Sequence, residues 1–496
     1  MKISTRRLAL ALVATALAFV AGAHAAEDAP LADAAKHKNW TAVRSLLKER
    51  TPVDGRLGDG ATALHWAVYW DNADVVTLLV QAGASVNAVT DLGITPLYLA
   101  SSNANAAIVR QLLDRRADPN IVSTAGVSPL MRASQVGGDG AVRLLLAHGA
   151  KVNEREPSRS QTALMWAVAQ RHPEITRVLI ENGADVTART RVRRLVVNRG
   201  GPNGTIADEP YVGEVDRGGS TPLLFAARSG DLESAKLLVA AGASVEDRAP
   251  DGYSAMQLAS HSGHSALALW LLDRGADPNA ADVGFTPLHT AVLTGDLPLV
   301  KALLSHGANA NARITKATPI RRLGEDLALP TPLIGATPFF LAAKYADVPI
   351  LRALVAGGGD PHVPAADGTT PLMAAAGVGW AGTTNRRGID VTANKSAASD
   401  PHQDEPETLE LVTLLVGMGG DVNAKNQNGE TALFGAVSKG FATVVKYLAG
   451  QGADVHVRNK RGQSLLILTE PRGTTGTPAP MLQATARLLR ELGVNE

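Results

Sequence analysis

The chain has 496 residues, of which 45% are hydrophobic and only 4% aromatic, and it contains no cysteine. The missing cysteine excludes disulfides, thiolate metal sites and attachment of a lipid to an N-terminal cysteine. The formal charge is +1, from 48 basic and 47 acidic residues. Global charge therefore gives no reason to expect a nucleic acid as partner.

Residues 1–25 have the pattern of a secretory signal peptide. A basic region, an apolar run and a small-residue cleavage site follow one another at Lys2 to Arg7, Leu8 to Gly22 and Ala23-His24-Ala25. The apolar run is shorter than the ~20 residues of a membrane span, which disfavours an uncleaved anchor. The Arg6-Arg7 pair leaves twin-arginine export open. We expect a mature chain with a charge of about −2, no transmembrane segment, and a periplasmic or secreted location.

A phrase related to Thr-Pro-Leu-His recurs through the rest of the chain. Its Thr or Ser can cap a helix, and proline at the next position loses no hydrogen bond there. An apolar second helix and a glycine then follow, as in Ala266 to Leu272 with Gly275. A period of about 33 residues indicates stacked helix pairs, an all-α repeat solenoid. The capping residues are Thr62, Thr95, Ser128, Thr162, Thr221, Ser254, Thr286, Thr337, Thr370, Thr431 and, in a degraded phrase, Ser464.

Each unit also closes with a phrase such as Gly149-Ala150-Lys151-Val152-Asn153 or Gly307-Ala308-Asn309-Ala310-Asn311. The complete pattern resembles the ankyrin repeat over residues 31–493. The resemblance implies ten or eleven repeats of two helices and a loop finger. It also implies binding of a protein partner at the finger tips and at the exposed ends of the first helices. Arg116 stands where the glycine that ends a second helix belongs, so a left-handed conformation there would be strained.

Three intervals between anchors are clearly longer than the period, at Thr162 to Thr221, Thr286 to Thr337 and Thr370 to Thr431. We interpret them as insertions. The first should form a hairpin, because Val192 to Val197 favour a strand and Gly200 to Gly204 favour a turn. The polar stretch from Asn394 to Glu407 is expected to be mobile.

The predicted domains follow from these boundaries. They are a signal peptide (1–25), an N-terminal cap (26–57), repeats one to four (58–189), a finger insertion (190–217), repeats five to seven (218–313), a second finger insertion (314–334), repeats eight to ten (335–459) with an insertion between two helices (377–405), and a degenerate repeat with the C-terminal cap (460–496).

Candidate binding residues lie at the ends of first helices and in the insertions. Tyr69 and Trp70 are aromatic residues at the end of a first helix and could anchor a partner. The alternative, that they pack on the N-terminal cap, stays open, whereas Trp66 and Trp166 are expected in the core. The other helix-end candidates are Asn103, Gln135, Arg228, Lys344 and Tyr345.

Arginines concentrate in the insertions, where Arg193, Arg194, Arg321 and Arg322 could form an anion-binding edge. The alternative is that acidic residues of the same segments, such as Glu214 and Asp216, balance their charge. The substitution of Arg193 and Arg194 by Glu is expected to weaken partner capture in a salt-dependent way.

No catalytic, metal or cofactor site is predicted. Gly377 to Gly382 matches G-x-G-x-x-G, but it follows a helix instead of a strand, which is the wrong context for a dinucleotide. The resemblance makes His65 and His289 structural residues. We expect a non-enzymatic exported scaffold that binds a protein through its concave face and finger insertions. The alternative is a small-molecule or anionic-glycan binder that assists an envelope enzyme.

Overall fold

The computed structural model describes residues 29–198, 212–316, 333–379, 404–470 and 480–494. The chain forms two units. Unit 1 contains Met1–Val192 and Gly218–Ser244, and unit 2 contains Arg193–Arg217 and Val245–Glu496.

Unit 1 consists of short helices in pairs. They are α1 (Pro30–Lys36), α2 (Trp40–Lys48), α3 (Ala63–Tyr69), α4 (Ala73–Gln81), α5 (Pro96–Ser102), α6 (Ala106–Asp114), α7 (Pro129–Val136), α8 (Asp139–Ala147), α9 (Ala163–Ala169), α10 (Pro173–Glu181), α11 (Pro222–Ser229) and α12 (Leu232–Ala240).

Unit 2 contains a two-stranded hairpin and further helix pairs. Its elements are β1 (Arg193–Asn198), β2 (Val212–Arg217), α13 (Ala255–His261), α14 (Ser265–Asp273), α15 (Pro287–Thr294), α16 (Leu297–Ser305), α17 (Pro338–Lys344), α18 (Val348–Ala356), α19 (Pro371–Ala375), α20 (Glu405–Gly417), α21 (Ala432–Lys439), α22 (Ala442–Gly450), a 3-10 turn (Leu466–Thr469) and α23 (Pro480–Glu491).

The recurring Thr or Ser caps most of the first helices, whereas α1 follows Ala29 and the Thr431 hydroxyl before α21 makes no capping bond. In α5 the Thr95 hydroxyl accepts the N–H of Tyr98, and Pro96 occupies the first helical position. In α13 Ser254 and Gln257 cap each other reciprocally. The predicted helix-pair repeat is therefore confirmed, and its start has the physical cause that the phrase indicated.

Within each unit the first helices stack in chain order. Contacts join α1, α3, α5, α7, α9 and α11 in unit 1, and α13, α15, α17, α19 and α21 in unit 2. Their buried faces are mostly Leu, Val and Ala. Equivalent positions of neighbouring repeats consequently lie side by side, which determines how a surface is built from them.

Asparagine at the end of the closing phrase ties one loop to the next. Asn153 donates from Nδ2 to the carbonyl of Gly183 (2.9 Å), and its Oδ1 accepts the N–H of Asp185 (2.8 Å). The same pair of bonds is made by Asn87, Asn120, Asn279, Asn311 and Asn423. These bonds hold successive fingers in register within each unit.

The first long interval contains an antiparallel hairpin, in which Arg194 pairs with Asp216 across β1 and β2. The strand expected around Val192 to Val197 is therefore present, while the Gly200 to Gly204 turn lies outside the described residues. Of the second insertion, Ile314 bonds to Gly335 and Ala336 through its backbone. Residues 317–332 lie outside the description.

The third interval separates α19 from α20. The expectation of mobility for Asn394 to Glu407 is wrong at its end, because α20 begins at Glu405. Pro406 suits a first helical turn, and the acidic residues Glu405 and Glu407 favour a helix N-terminus. The preceding part of that stretch, up to residue 403, lies outside the described residues.

Arg116 has the left-handed conformation that its position predicted, with φ of 65°. Replacing Arg116 with Gly should raise the free energy of unfolding by about 1 kcal/mol, because the left-handed region is unfavourable for a residue with Cβ. Urea unfolding measures the change. Gly149→Ala is the reverse control, since φ is 83° there and no atom lies within 4 Å of the added Cβ. It should be destabilised by a similar amount, and equal stabilities of all three proteins would contradict the interpretation.

Candidate functional site

Three aromatic residues cluster at the end of α3. The rings of Trp66 and Tyr69 are 5.6 Å apart, and those of Tyr69 and Trp70 are 4.7 Å apart, both edge to face. Trp70 donates from Nε1 to the carbonyl of Lys36 (3.1 Å), and the Lys38 ammonium lies 3.8 Å from its ring centroid. Tyr69 and Trp70 are half-buried. Of the two possibilities considered, Trp70 thus packs on the N-terminal cap, and part of both rings still reaches the surface.

A column of side chains runs along the stacked first helices of unit 1. Each member lies four residues after the capping Thr or Ser, so the side chains occupy equivalent positions. Trp66 is 8% exposed and Leu99 is 7% exposed, whereas Arg132, Trp166 and Phe225 are half-buried. The expectation that Trp66 belongs to the core is right. Trp166 is half-buried, so the same expectation is not met at Trp166.

Neutral groups hold Arg132 in this column. Its Nε donates to the Ser102 hydroxyl (3.3 Å), and Nη1 donates to the side-chain oxygen of Gln135. The guanidinium carbon lies 5.8 Å from the centroid of the Tyr98 ring. Burial raises the pKa of Tyr98, and the Arg132 charge opposes that rise. Tyr98 is therefore a neutral phenol against the cation.

The predicted helix-end residues of unit 1 already take part in contacts between repeats. Asn103 donates from Nδ2 to the carbonyl of Val68 (2.8 Å) at the end of the preceding first helix. Gln135 accepts from Arg132, and its carbonyl lies 3.2 Å from Nε2 of His172. These bonds join carbonyls near the C-terminus of one first helix to a side chain of the next repeat. Both residues are half-buried, and Arg228 is exposed.

In unit 2, Lys344 donates from Nζ to the carbonyl of Gly379 (3.3 Å) and lies 5.9 Å from the centroid of the Tyr345 ring. Lys344 and Tyr345 are half-buried. Lys344 thus bonds to a neighbouring repeat, as Asn103 does in unit 1.

The hairpin arginines differ from each other. Arg194 bonds to Asp216 (3.3 Å) and Glu214 (3.4 Å), and the bond to Asp216 raises the pKa of the guanidinium most. Arg193 is exposed and lies opposite Arg217 in the hairpin register. The acid-balanced alternative thus describes Arg194. Arg321 and Arg322 lie outside the described residues.

His65 and His289 cap their own helices. Nδ1 of His65 accepts the N–H of Thr62 (3.1 Å), and Nε2 lies 2.9 Å from the carbonyl of Ile94. Burial lowers the pKa of both histidines to about 4. Both are neutral structural groups at pH 7. Over the described ranges, no three His, Asp or Glu side chains are grouped so that they could hold a metal ion.

We define the first-helix face of unit 1 as this column together with the helix-end residues beside it. The column supplies half-buried aromatic surface and one cation, and the helix ends supply amide groups, ring groups and the Arg228 guanidinium. Its members are Trp66, Tyr69, Trp70, Leu99, Asn103, Arg132, Gln135, Trp166, Gln170, Phe225 and Arg228.

Stacked helix pairs with loops tied by asparagine define a repeat protein in which equivalent positions lie side by side. Family models described as ankyrin repeats (3 copies) match residues 13–90, 31–123, 97–190, 192–282, 250–314 and 402–469. The chain belongs to the ankyrin-repeat family, whose members are generally modules for protein–protein interaction.

Several curated proteins are similar over part of the chain. SH3 and multiple ankyrin repeat domains protein 1 of Homo sapiens is 42% identical over 81 residues, which cover 16% of this chain and 4% of that protein. Human ankyrin repeat and SOCS box protein 6 is 31% identical over 127 residues, covering 22% and 29%. A Danio rerio protein named as a palmitoyltransferase, ZDHHC13, is 26% identical over 223 residues, covering 43% and 32%. The matches span about a third or less of these relatives.

A solved structure is also similar. The crystal structure of the human ASB11 ankyrin repeat domain is 26% identical, with a TM-score of 0.39, and the match covers 50% of this chain and 99% of that one. Among the residues that the structure describes, every helix is too short or too polar to cross a membrane.

Arg132 was missed in the sequence. A detectable signal existed, because aligning the repeats places Arg132 where Trp66, Leu99, Trp166 and Phe225 occur. Comparing one column across repeats would have singled it out.

Proposed function

We propose that this protein is an exported, non-enzymatic scaffold that binds another protein through the first-helix face of unit 1. The observation that carries the proposal is the half-buried column, in which Arg132, Trp166 and Phe225 keep exposed surface at equivalent positions. Aromatic and Arg side chains are the residues that most often dominate binding energy at interfaces. Because the helices are already stacked, little ordering would accompany binding.

The hairpin of unit 2 is the second proposed contact. On β1, Leu195 is 45% exposed and Val196 is 67% exposed, and Val192, directly before β1, is 47% exposed. Exposed apolar side chains on a short hairpin favour contact with another protein. The exposed cation Arg193 lies beside them, whereas Arg194 has acidic partners within the hairpin.

Export is proposed from the pattern of residues 1–25 alone. The direct check is N-terminal sequencing of the protein recovered from the cell envelope. A first residue of Ala26 supports cleavage, whereas a chain that keeps Met1 in the cytoplasm contradicts export.

A capture experiment tests the scaffold. The tagged mature chain should retain a stable protein partner from envelope extract, and replacing Arg193–Arg217 by a two-residue turn should weaken capture. That replacement closes the ends cleanly, because Arg193 and Arg217 are paired.

Arg193→Glu should weaken capture more at low salt than at high salt. Arg194→Glu should have a smaller effect, because Arg194 already has acidic partners. If no protein is captured but anionic sugars raise the unfolding temperature, the alternative of a glycan-binding accessory protein is supported instead.

A further inference from the structure

Arg132 is the one charged residue of its column. The other column members in unit 1 are Trp66, Leu99, Trp166 and Phe225. The equivalent residues in unit 2 are Leu258, Thr290, Leu341, Ala374, Gly435 and Leu468. We propose that Arg132 is a carboxylate-binding subsite, which takes an Asp or Glu side chain of a protein partner between flanking apolar residues. This inference rests on the proposed scaffold function and specifies its partner.

The bonding of Arg132 leaves donors available. A guanidinium has five N–H donors, and Nε and Nη1 make the bonds to Ser102 and Gln135. Both acceptors are neutral and belong to first helices, so they orient the guanidinium without neutralising it. Arg132 is half-buried and keeps three N–H donors on Nη1 and Nη2 without a bond in the described residues. Such a planar fork is suited to bidentate binding of a carboxylate.

No acidic side chain of the described residues pairs with Arg132. Three carboxylates of nearby repeats are paired with other cations. Asp139 bonds to Arg143 at 3.1 Å, Glu174 lies 3.5 Å from Arg177, and Asp185 lies 3.8 Å from Arg155. Leaving a half-buried cation without an opposite charge is unfavourable, and a partner carboxylate would correct that.

Further cations lie on this face, together with one acid, Asp71, which follows α3 and accepts from Nδ2 of Asn105. Among the described residues, Lys36, Lys38 and Arg171 also have no carboxylate within 4.0 Å, and all three lie at the end of a first helix of unit 1 or directly after it. An acidic partner would therefore be attracted to this face, and a basic partner would be repelled.

The neighbours of Arg132 specify what flanks the acid. Leu99 and Trp166 occupy the equivalent positions on the helices packed to either side, α5 and α9. Packed helix axes lie about 8–10 Å apart, and an extended chain advances about 3.3 Å per residue. An extended partner segment should thus carry apolar residues two or three positions before and after its acid.

The test uses the full mature chain and a peptide library displayed on phage. Wild-type protein should select peptides with Asp or Glu and an apolar residue two or three positions away on either side. For the best peptide, Glu→Gln in the peptide and Arg132→Met in the protein should each raise Kd at least about tenfold. Because both changes remove the same contact, combining them should add little further loss.

Arg143→Met is the matched control. Arg143 lies on the second helix of the same repeat, is exposed, and pairs with Asp139, so its loss should leave Kd unchanged. Urea unfolding verifies that both variants are folded.

The outcomes separate the two proposals. Selected peptides without an acid, or an acid preference that survives Arg132→Met, overturn the subsite. If the selected peptides nevertheless bind more weakly to Trp166→Ala, the scaffold function is supported without the carboxylate-binding subsite. Failure of the wild-type protein to select any peptide contradicts the binding face itself.

Discussion

Glutamine in place of His65 and His289 is expected to remove much of the loss of stability that acid causes between pH 6.5 and about 4. Burial lowers the pKa of both histidines from 6.5 to about 4. Above pH 6.5 the histidines are neutral in both the folded and the unfolded chain. Unfolding then binds no proton, and the free energy of unfolding keeps its full value. As the pH falls toward 4, the unfolded chain binds protons that the folded chain does not, so the free energy of unfolding decreases. A pKa separation of this size corresponds to about 3 kcal/mol for each histidine.

Glutamine is the appropriate replacement because the chain already uses it at this position. Gln257 accepts the N–H of Ser254 at Oε1 (3.2 Å) and donates from Nε2 to the carbonyl of Phe285 (2.9 Å). It therefore reproduces both bonds of a neutral histidine without a proton to gain. Urea unfolding at pH 7, 5.5 and 4.5 measures the effect, and the exposed His148→Gln is the control. Parallel pH profiles for the double variant and the wild type would refute the assignment.

The second large effect is expected at Glu156, which is 3% exposed. Its carboxylate accepts the N–H groups of Ser158 (2.7 Å), Arg159 (2.8 Å) and Gln161 (3.0 Å). Replacing Glu156 by Ala should lower the free energy of unfolding by about 3 kcal/mol at pH 7, because bonds to a charged acceptor are lost together.

This effect should depend on pH in a defined direction. Burial would raise the pKa of Glu156, but the bonds from the Ser158 hydroxyl and from the loop N–H groups outweigh burial and hold the pKa below 4.5. The contribution is therefore present above pH 4.5 and decreases as the pH falls through the lowered pKa. Urea titrations of Glu156→Ala at pH 7 and at pH 3 should give a smaller difference from wild type at pH 3.

Thr90→Ala is the matched control, because the Thr90 hydroxyl at the equivalent position accepts only the N–H of Ile94 (3.2 Å). It should cost no more than about 1 kcal/mol. An equal cost for both substitutions would contradict the account of the Glu156 loop.

Glu156 also illustrates what sequence reasoning missed. The interval from Ser128 to Thr162 is one residue longer than the two intervals before it. The extra residue lies in the Glu156 to Gln161 loop, where Ser160 has φ of 58°. The longer loop needs a side chain that reaches several N–H groups, and a glutamate does this where a threonine would not. The spacing signal was visible, but its cause required the loop geometry.

The fold was predictable because each repeat carries its own local signals. Thr95 caps α5 and Pro96 suits its first position, so these residues define a helix start without reference to the rest of the chain. The stacking of helix pairs then follows from the regular period.

The site was less predictable because its contacts join different repeats. Asn103 bonds to the carbonyl of Val68, and Trp70 bonds to that of Lys36, about one period earlier in each case. A helix-end residue that reads as exposed within its own repeat is thus half-buried by the preceding one. Arg132 could likewise not be recognised from its own repeat. It lies on α7, and its partner Ser102 lies on α5, so the bond between them depends on how the two helices pack.

Site-specific photo-cross-linking to the captured partner tests the binding face most directly. A photoreactive residue is placed at Gln170, which is exposed at the end of α9, or at Arg177, which is exposed on α10 of the same repeat. We predict cross-links from position 170 and none from position 177, because the partner should cover the first-helix face. Cross-links from position 177 alone would show that the partner binds the second helices and would contradict the account.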